Sequence, residues 1–230
     1  MGKRSKNLTP PNQLLVEGKN DYHVICNLCK QYNINIPNTF EVKFPEPGAE
    51  GVKNLLDGLP VKLKEENLRI LGIVVDADQD LAARWQSIRG KLSASGYPES
   101  DIPDSPQEKG WVYQPKNLFL KRVGVWVMPN NQLPGMLEDF VALLMPEDDK
   151  LRPKAEEILR EIERDGLNRY GEIHRAKALI HTWLAWQETP GMPMGLAITA
   201  RVLRRESAIA QVFADWLQQL FQAEIPETNG

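Results

Sequence analysis

Cysteine and histidine are scarce, with two of the first and three of the second in 230 residues. Cys26 and Cys29 form a single CxxC, and a four-cysteine metal site needs a second pair. Both fall in a helical pattern and read as reduced, mostly buried thiols, with a redox pair as the lesser alternative. No disulfide framework can be built from them. No apolar run approaches about 18 residues, which excludes a transmembrane helix. The basic, polar stretch from Met1 to Pro11 leads into no long apolar segment and does not read as a secretory signal. A strong charge of one sign is also missing. Lys and Arg number 28 against 31 Asp and Glu, a net charge of −3. Such a chain has no global electrostatic reason to bind DNA or anionic lipid. Contact with nucleic acid must come from a local patch, a metal or a partner. There is no Walker-type glycine loop, so ATP hydrolysis is not expected of this chain. The expectation is a soluble, cytoplasmic protein.

What is present is ordinary globular composition, 42% apolar and 26% charged. Residues 1–12 read as a disordered start. Gln13 to Val16 is a short apolar run suited to a buried strand. A helix pattern follows, with Tyr22, Ile25, Leu28, Cys29 and Tyr32 on one face and Asn20 or Asp21 as its cap. Phe40 to Phe44 alternates as a strand does, and Gly51 to Leu59 reads as a second helix. Leu68 to Val75 is the strongest strand, nearly continuous in branched residues, as a central parallel strand requires. Leu81 to Ala94 is again helical. Alternating strand and helix argue for an α/β sheet. Ser95 to Gln114 is a Pro-, Ser- and Gly-rich excursion. One or two strands lie within Asn117 to Met128, and Leu133 to Leu144 is a helix. The pattern then turns all helical, over Leu151 to Arg164, His174 to Gln187 and Glu206 to Phe221. The expected organisation is an α/β domain over 13–145 and a helical part over 146–230 packed on it.

Acidic residues stand at strand ends. Glu17 follows the first strand, and Asp76, Asp78 and Asp80 follow the central one. Ligands of parallel sheets bind at the carboxyl ends of strands. Carboxylates brought together there repel, and a cation relieves the repulsion. Oxygen ligands select Mg2+ or Mn2+. If the segment stays extended, Asp76 and Asp78 point the same way. The competing reading is that these aspartates cap the next helix. An EF-hand is excluded by spacing.

Leu15-Val16-Glu17-Gly18-Lys19-Asn20-Asp21 resembles the first motif of Toprim domains, a strand ending in Glu-Gly with an Asp four residues after the Glu. Ile73-Val74-Val75-Asp76-Ala77-Asp78 resembles the second, a strand ending in Asp-x-Asp. The likeness spans about residues 13 to 145. Gly124 to Asn131, Gly135 to Asp139 and Lys177 to Gln187 are similar to a small Toprim-like family. The resemblance implies a mainly parallel sheet flanked by helices, with a helical C-terminal part. It implies Glu17 as acid/base and Asp76 and Asp78 as Mg2+ or Mn2+ ligands. Asp80 would be a third ligand or, slightly favoured, a helix cap. Asp21 reads as a capping or orienting residue. Glu138 and Asp139 would supply a second cation or form a solvated helix face.

In the C-terminal part, His174, Lys177 and His181 share one helix face. The histidines read as solvated surface, and Lys177 as solvated surface or as a charge that neutralises phosphate. Trp111, Trp126, Trp183, Trp186 and Trp216 read as core or interface. The loop from Thr189 to Gly195 is unusually apolar and is expected to pack on the sheet or a partner. Arg201, Arg204 and Arg205 form the one basic cluster, a charged helix end or a phosphate contact. The leading expectation is a Mg2+-dependent phosphodiester-processing enzyme, most readily a nuclease. The alternative is a non-catalytic metal- or nucleotide-binding subunit of an ATPase complex. A topoisomerase lacks its tyrosine signal here, and a primase lacks its further nucleotide-binding elements. Partners consistent with this reading are nucleic acid, bound weakly by the chain alone, an ATPase subunit and a second copy of the chain.

Overall fold

A computed structural model of the chain describes residues 11–46, 48–116, 119–204 and 206–222. Most of the expected disordered start, the beginning of the segment from Asn117 and Arg205 of the basic cluster lie outside the described residues. β1 (Asn12–Leu15), α1 (Lys19–Gln31), β2 (Glu41–Lys43), α2 (Val52–Lys62), β3 (Ile70–Asp76) and α3 (Leu81–Ala94) alternate as the hydrophobic pattern demands. β4 (Trp111–Tyr113) and β5 (Arg122–Met128) complete a five-stranded sheet of order β2-β1-β3-β5-β4. Its strands run parallel except β4, which is antiparallel to β5. Then come α4 (Leu137–Ala142), α5 (Leu151–Arg164), α6 (Arg175–Ala185), α7 (Met194–Thr199) and α8 (Ala208–Gln222). The fold is α/β with a mostly parallel sheet and helices on both faces.

Each face follows from strand periodicity. Leu71, Ile73 and Val75 of β3, with Val123, Val125 and Val127 of β5, join one core with Leu55, Leu59, Trp85 and Ile88 of α2 and α3. The alternate positions Ile70, Val74, Trp126 and Met128 face a larger core built by α1 and α4 to α8. Gly72 and Gly124 are register partners in the two central strands. Their missing side chains leave a groove that takes Leu220 of α8: a Cβ on Gly124 would stand 2.6 Å from the Leu220 Cδ2. Phe221 beside it stacks on Phe40 with ring centroids 4.1 Å apart. α8 is thus packed directly on the sheet.

Four local readings need correction. β4 lies inside the stretch read as an excursion, because three residues after Gly110 are too few to show a period of two. α4 begins at Leu137 and not Leu133, because Pro134-Gly135 bends the chain and Gly135 sits at φ 139°. The apolar loop from Thr189 in fact leads, at Met194, into α7, which packs against α1. The N-cap of α1 is Gly18, with no side-chain cap, so neither Asn20 nor Asp21 caps it. Among the tryptophans, Trp111, Trp126, Trp183 and Trp216 are buried, while Trp186 is exposed. Both cysteines are free thiols, and burial pushes the Cys29 thiol well above its ordinary range. Among the described residues no helix is long and apolar enough to cross a membrane.

Candidate functional site

The order β2-β1-β3 means that the chain leaves β1 toward one side of the sheet and returns to the other. In such a sheet the crevice at the carboxyl ends of the two diverging strands is the natural ligand site. Here the two ends are those of β1 and β3, and they carry Glu17 and Asp76. Glu17 Oε1 accepts the backbone N–H of Asp76 at 2.7 Å. Asp76 Oδ1 in turn accepts the N–H of Leu137 at 3.0 Å, which docks the start of α4 on the same point. The following residue, Glu138, is buried, and its Oε1 lies 3.3 Å from the Nζ of Lys177 on α6. Asp21, in the first turn of α1, closes the group. It is 7% exposed, and its Oδ1 is buried with no hydrogen-bond partner. Together they line a cavity of about 310 Å3, with Gly18, Lys19, Asn20 and Gly51 at its edge.

Burial and crowding act on Glu17, Asp21 and Asp76 in the same direction. Burial pushes the Glu17 carboxyl up to about 7, against the Asp76 N–H; Asp21 adds to the rise and Arg84 opposes it. Asp21 is pushed up to about 6, first by burial and then by the charge of Glu138, against N–H groups at Asp21 and Gly18 and the charge of Lys177. Asp76 is held well above the ordinary carboxylate range by burial, then by Glu17, Asp21 and Glu138. Glu17, Asp21 and Asp76 therefore hold their protons more tightly than ordinary carboxylates, and a cation joining them would relieve the crowding.

Of the residues singled out in the sequence, Glu17, Asp76, Glu138 and Lys177 are brought together. Asp78, Asp80 and Asp139 are not among the residues lining this cavity. The segment after β3 does not stay extended, because Asp78 sits at φ 56°. Asp78 lines an adjacent cleft of about 510 Å3, and its carboxylate pairs with Arg84 Nη2 at 2.5 Å. Asp80 caps α3, accepting the N–H of Ala83 at 2.9 Å. Asp139 caps α4, accepting the N–H of Met136 at 2.9 Å. His174 and His181 are exposed. Arg204 of the basic cluster pairs with Glu147 at 2.6 Å. Asp21, read from the sequence as structural, is the member that was missed. The signal was its place one turn into a helix that starts directly after a strand-end acid.

A larger cavity, about 1080 Å3, runs along α1 and the edge strand β2. It gathers none of the shifted carboxylates, so the smaller crevice is the better candidate for chemistry. Among the described residues no three His, Cys, Asp or Glu side chains are already drawn around one metal-sized point. Internal partners account for this: the Asp76 N–H holds Glu17, the Leu137 N–H holds Asp76 and Lys177 holds Glu138. The donor set still fits a hard divalent cation. It is all carboxylate oxygen, and Asp21 brings a buried oxygen with nothing to bind.

Fold and site together define a mostly parallel α/β protein with an acidic crevice at its topological switch point. More particularly, the chain belongs to the family described as protein of unknown function (DUF3226), whose model matches residues 11–222. No curated protein and no solved structure matches the chain.

Proposed function

We propose that this chain is a Mg2+- or Mn2+-dependent phosphodiester-processing enzyme of the Toprim kind, acting as a nuclease. One observation carries the reading. An unpartnered, buried Asp21 oxygen stands among Glu17, Asp76 and Glu138, where the sheet reverses its strand order. Buried acceptors left unpaired are costly, and a cation is the partner that would satisfy Asp21 and discharge the crowding around it. Asp21, Asp76 and Glu138 would hold the ion, with Glu17 beside it, and when bound it supplies positive charge to a phosphoryl oxygen.

The remaining chemistry belongs to the chain's own residues. Glu17, with its proton held up to about 7, can both give and take a proton near neutral pH. The Asp76 N–H fixes which way its carboxyl points. Lys177, half exposed above buried Glu138, places a positive charge at the mouth of the crevice where a phosphate would enter. The test is incubation of the purified chain with labelled single- and double-stranded DNA and RNA, with Mg2+, Mn2+ or chelator. Cation-dependent cleavage that Asp76→Asn removes is the expected result. Failure to cleave any of the four, with no Mn2+ uptake by calorimetry, would overturn the reading.

A further inference from the structure

The residue that decides where Asp78 points is Arg84, one turn into α3. Its Nε donates to the Asp76 carbonyl oxygen at 2.7 Å, and its Nη2 donates to Asp78 Oδ2 at 2.5 Å. One guanidinium thus grips the end of β3 by its main chain and the next acid by its side chain. The fork of donors suits that double hold, which a lysine could not reproduce. The side chain of Arg84 is 15% exposed and that of Asp78 37%, so the guanidinium is largely covered while the carboxylate stays open to solvent. A second pair of bonds pins the backbone of Asp78. Its N–H donates to the Gly135 carbonyl at 2.9 Å, and the Gly135 N–H donates back at 2.7 Å. Asp78 is held in the left-handed region at φ 56°, which aspartate and asparagine tolerate better than most residues. The consequence is a carboxylate that belongs by sequence to the strand-end acids and by contact to Arg84.

We infer that Arg84 is a positioning residue that withholds Asp78 from the acidic crevice, so that a cation there is held by Asp21, Asp76 and Glu138 without Asp78. This rests on reading the crevice as a cation site. Arg84 restricts the acids the ion meets and keeps a positive charge beside the β3 end. Asp78, paired in this way, contributes its field at a distance and no ligand oxygen.

The experiment is a double-mutant cycle read by Mn2+ calorimetry on the full chain, with thermal denaturation in chelator to verify each fold. Asparagine keeps the backbone preference at position 78, so Asp78→Asn is a clean probe. In the parental chain it should change Mn2+ affinity by less than about threefold, whereas Asp21→Asn should cost about tenfold or more. In an Arg84→Gln background, where Asp78 is released, Asp78→Asn should cost about tenfold. Arg84→Lys should behave as Arg84→Gln does, since charge alone does not hold Asp78. If Asp78→Asn costs as much as Asp21→Asn in the parental chain, Asp78 is a ligand and the inference is wrong, while the cation reading stands. Should Asp78→Asn cost as little with Arg84→Gln as with Arg84, Arg84 withholds nothing, and the inference fails again. If the parental chain takes up no Mn2+, the cation reading falls and this inference with it. Should Arg84→Gln fail to fold, Arg84→Lys, which keeps the charge and loses the fork, carries the same cycle.

Discussion

The Glu17 carboxylate and the Asp76 amide meet at 2.7 Å although 59 residues separate them in the chain. That bond ties the ends of two neighbouring parallel strands by a side chain, just beyond the last rung of their ladder. It also gives Glu17 a fixed orientation at the floor of the crevice.

Glu17→Gln keeps an oxygen that can accept the Asp76 N–H and removes the titrating proton. Cleavage should fall by about 10²- to 10⁴-fold, with Mn2+ affinity reduced far less. Single-turnover rates beside calorimetry make the comparison. Cleavage at the parental rate would remove Glu17 from acid–base work. Loss of Mn2+ binding with it would make Glu17 chiefly a ligand.

Stability should fall as pH rises through the acid range. Folding raises Glu17 from 4.5 to about 7 and Asp21 from 3.8 to about 6. The folded chain therefore binds more protons than the unfolded one between about pH 4 and 7, and stability declines across that window. The contribution of these two acids is complete below the window and lost above it. Urea titrations at several pH values, with Glu17→Gln/Asp21→Asn as reference, isolate it. The double variant should show a shallower fall, and Mn2+ should offset the fall in the parental chain alone.

Lys177→Met removes the cation at the mouth of the crevice and leaves Glu138 buried without its partner at 3.3 Å. Loss of a charge that neutralises a phosphate should cost about 10²- to 10³-fold in turnover. Mn2+ affinity should not drop, because a competing positive charge has gone. Unchanged turnover would assign Lys177 to the solvated helix face.

Gly124→Ala tests the packing of α8. The added Cβ would stand 2.6 Å from the Leu220 Cδ2 and 2.9 Å from its Cδ1. Overpacking of this kind costs about 1–3 kcal/mol. Denaturant midpoints measure it directly. Pairing the change with Leu220→Ala should recover part of the loss, since the methyl then has room.

Much of the architecture was legible. Leu81 to Ala94 and Leu151 to Arg164 form helices with the bounds their periodicity indicates, because each carries a full face of apolar spacing. The parallel sheet followed from Leu68 to Val75, buried on both faces. Trp111–Tyr113 and Met194–Thr199 were not legible, because three and six residues make elements only through their neighbours. The site divided along similar lines. Glu17 and Asp76 were readable because strand ends place them. The turn at Asp78 was not, because no local pattern foretells a left-handed residue gripped by an arginine six positions on. Asp21 was read as an orienting residue because burial without a partner is a property of the assembled fold. Sequence spacing does not display it.

The groove formed by Gly72 and Gly124 is filled from residues Leu220 and Phe221. During synthesis at the ribosome the whole strand framework therefore emerges before the side chains that close one of its faces. Until residue 221 has cleared the exit tunnel, Leu14, Phe40, Val74 and Trp126, all buried in the finished fold, lack part of their cover. Such an interval exposes apolar surface in a nascent chain. The yield of folded protein should thus depend on elongation past α8 and on chaperone supply more steeply than for a sheet whose core is closed by its first hundred residues.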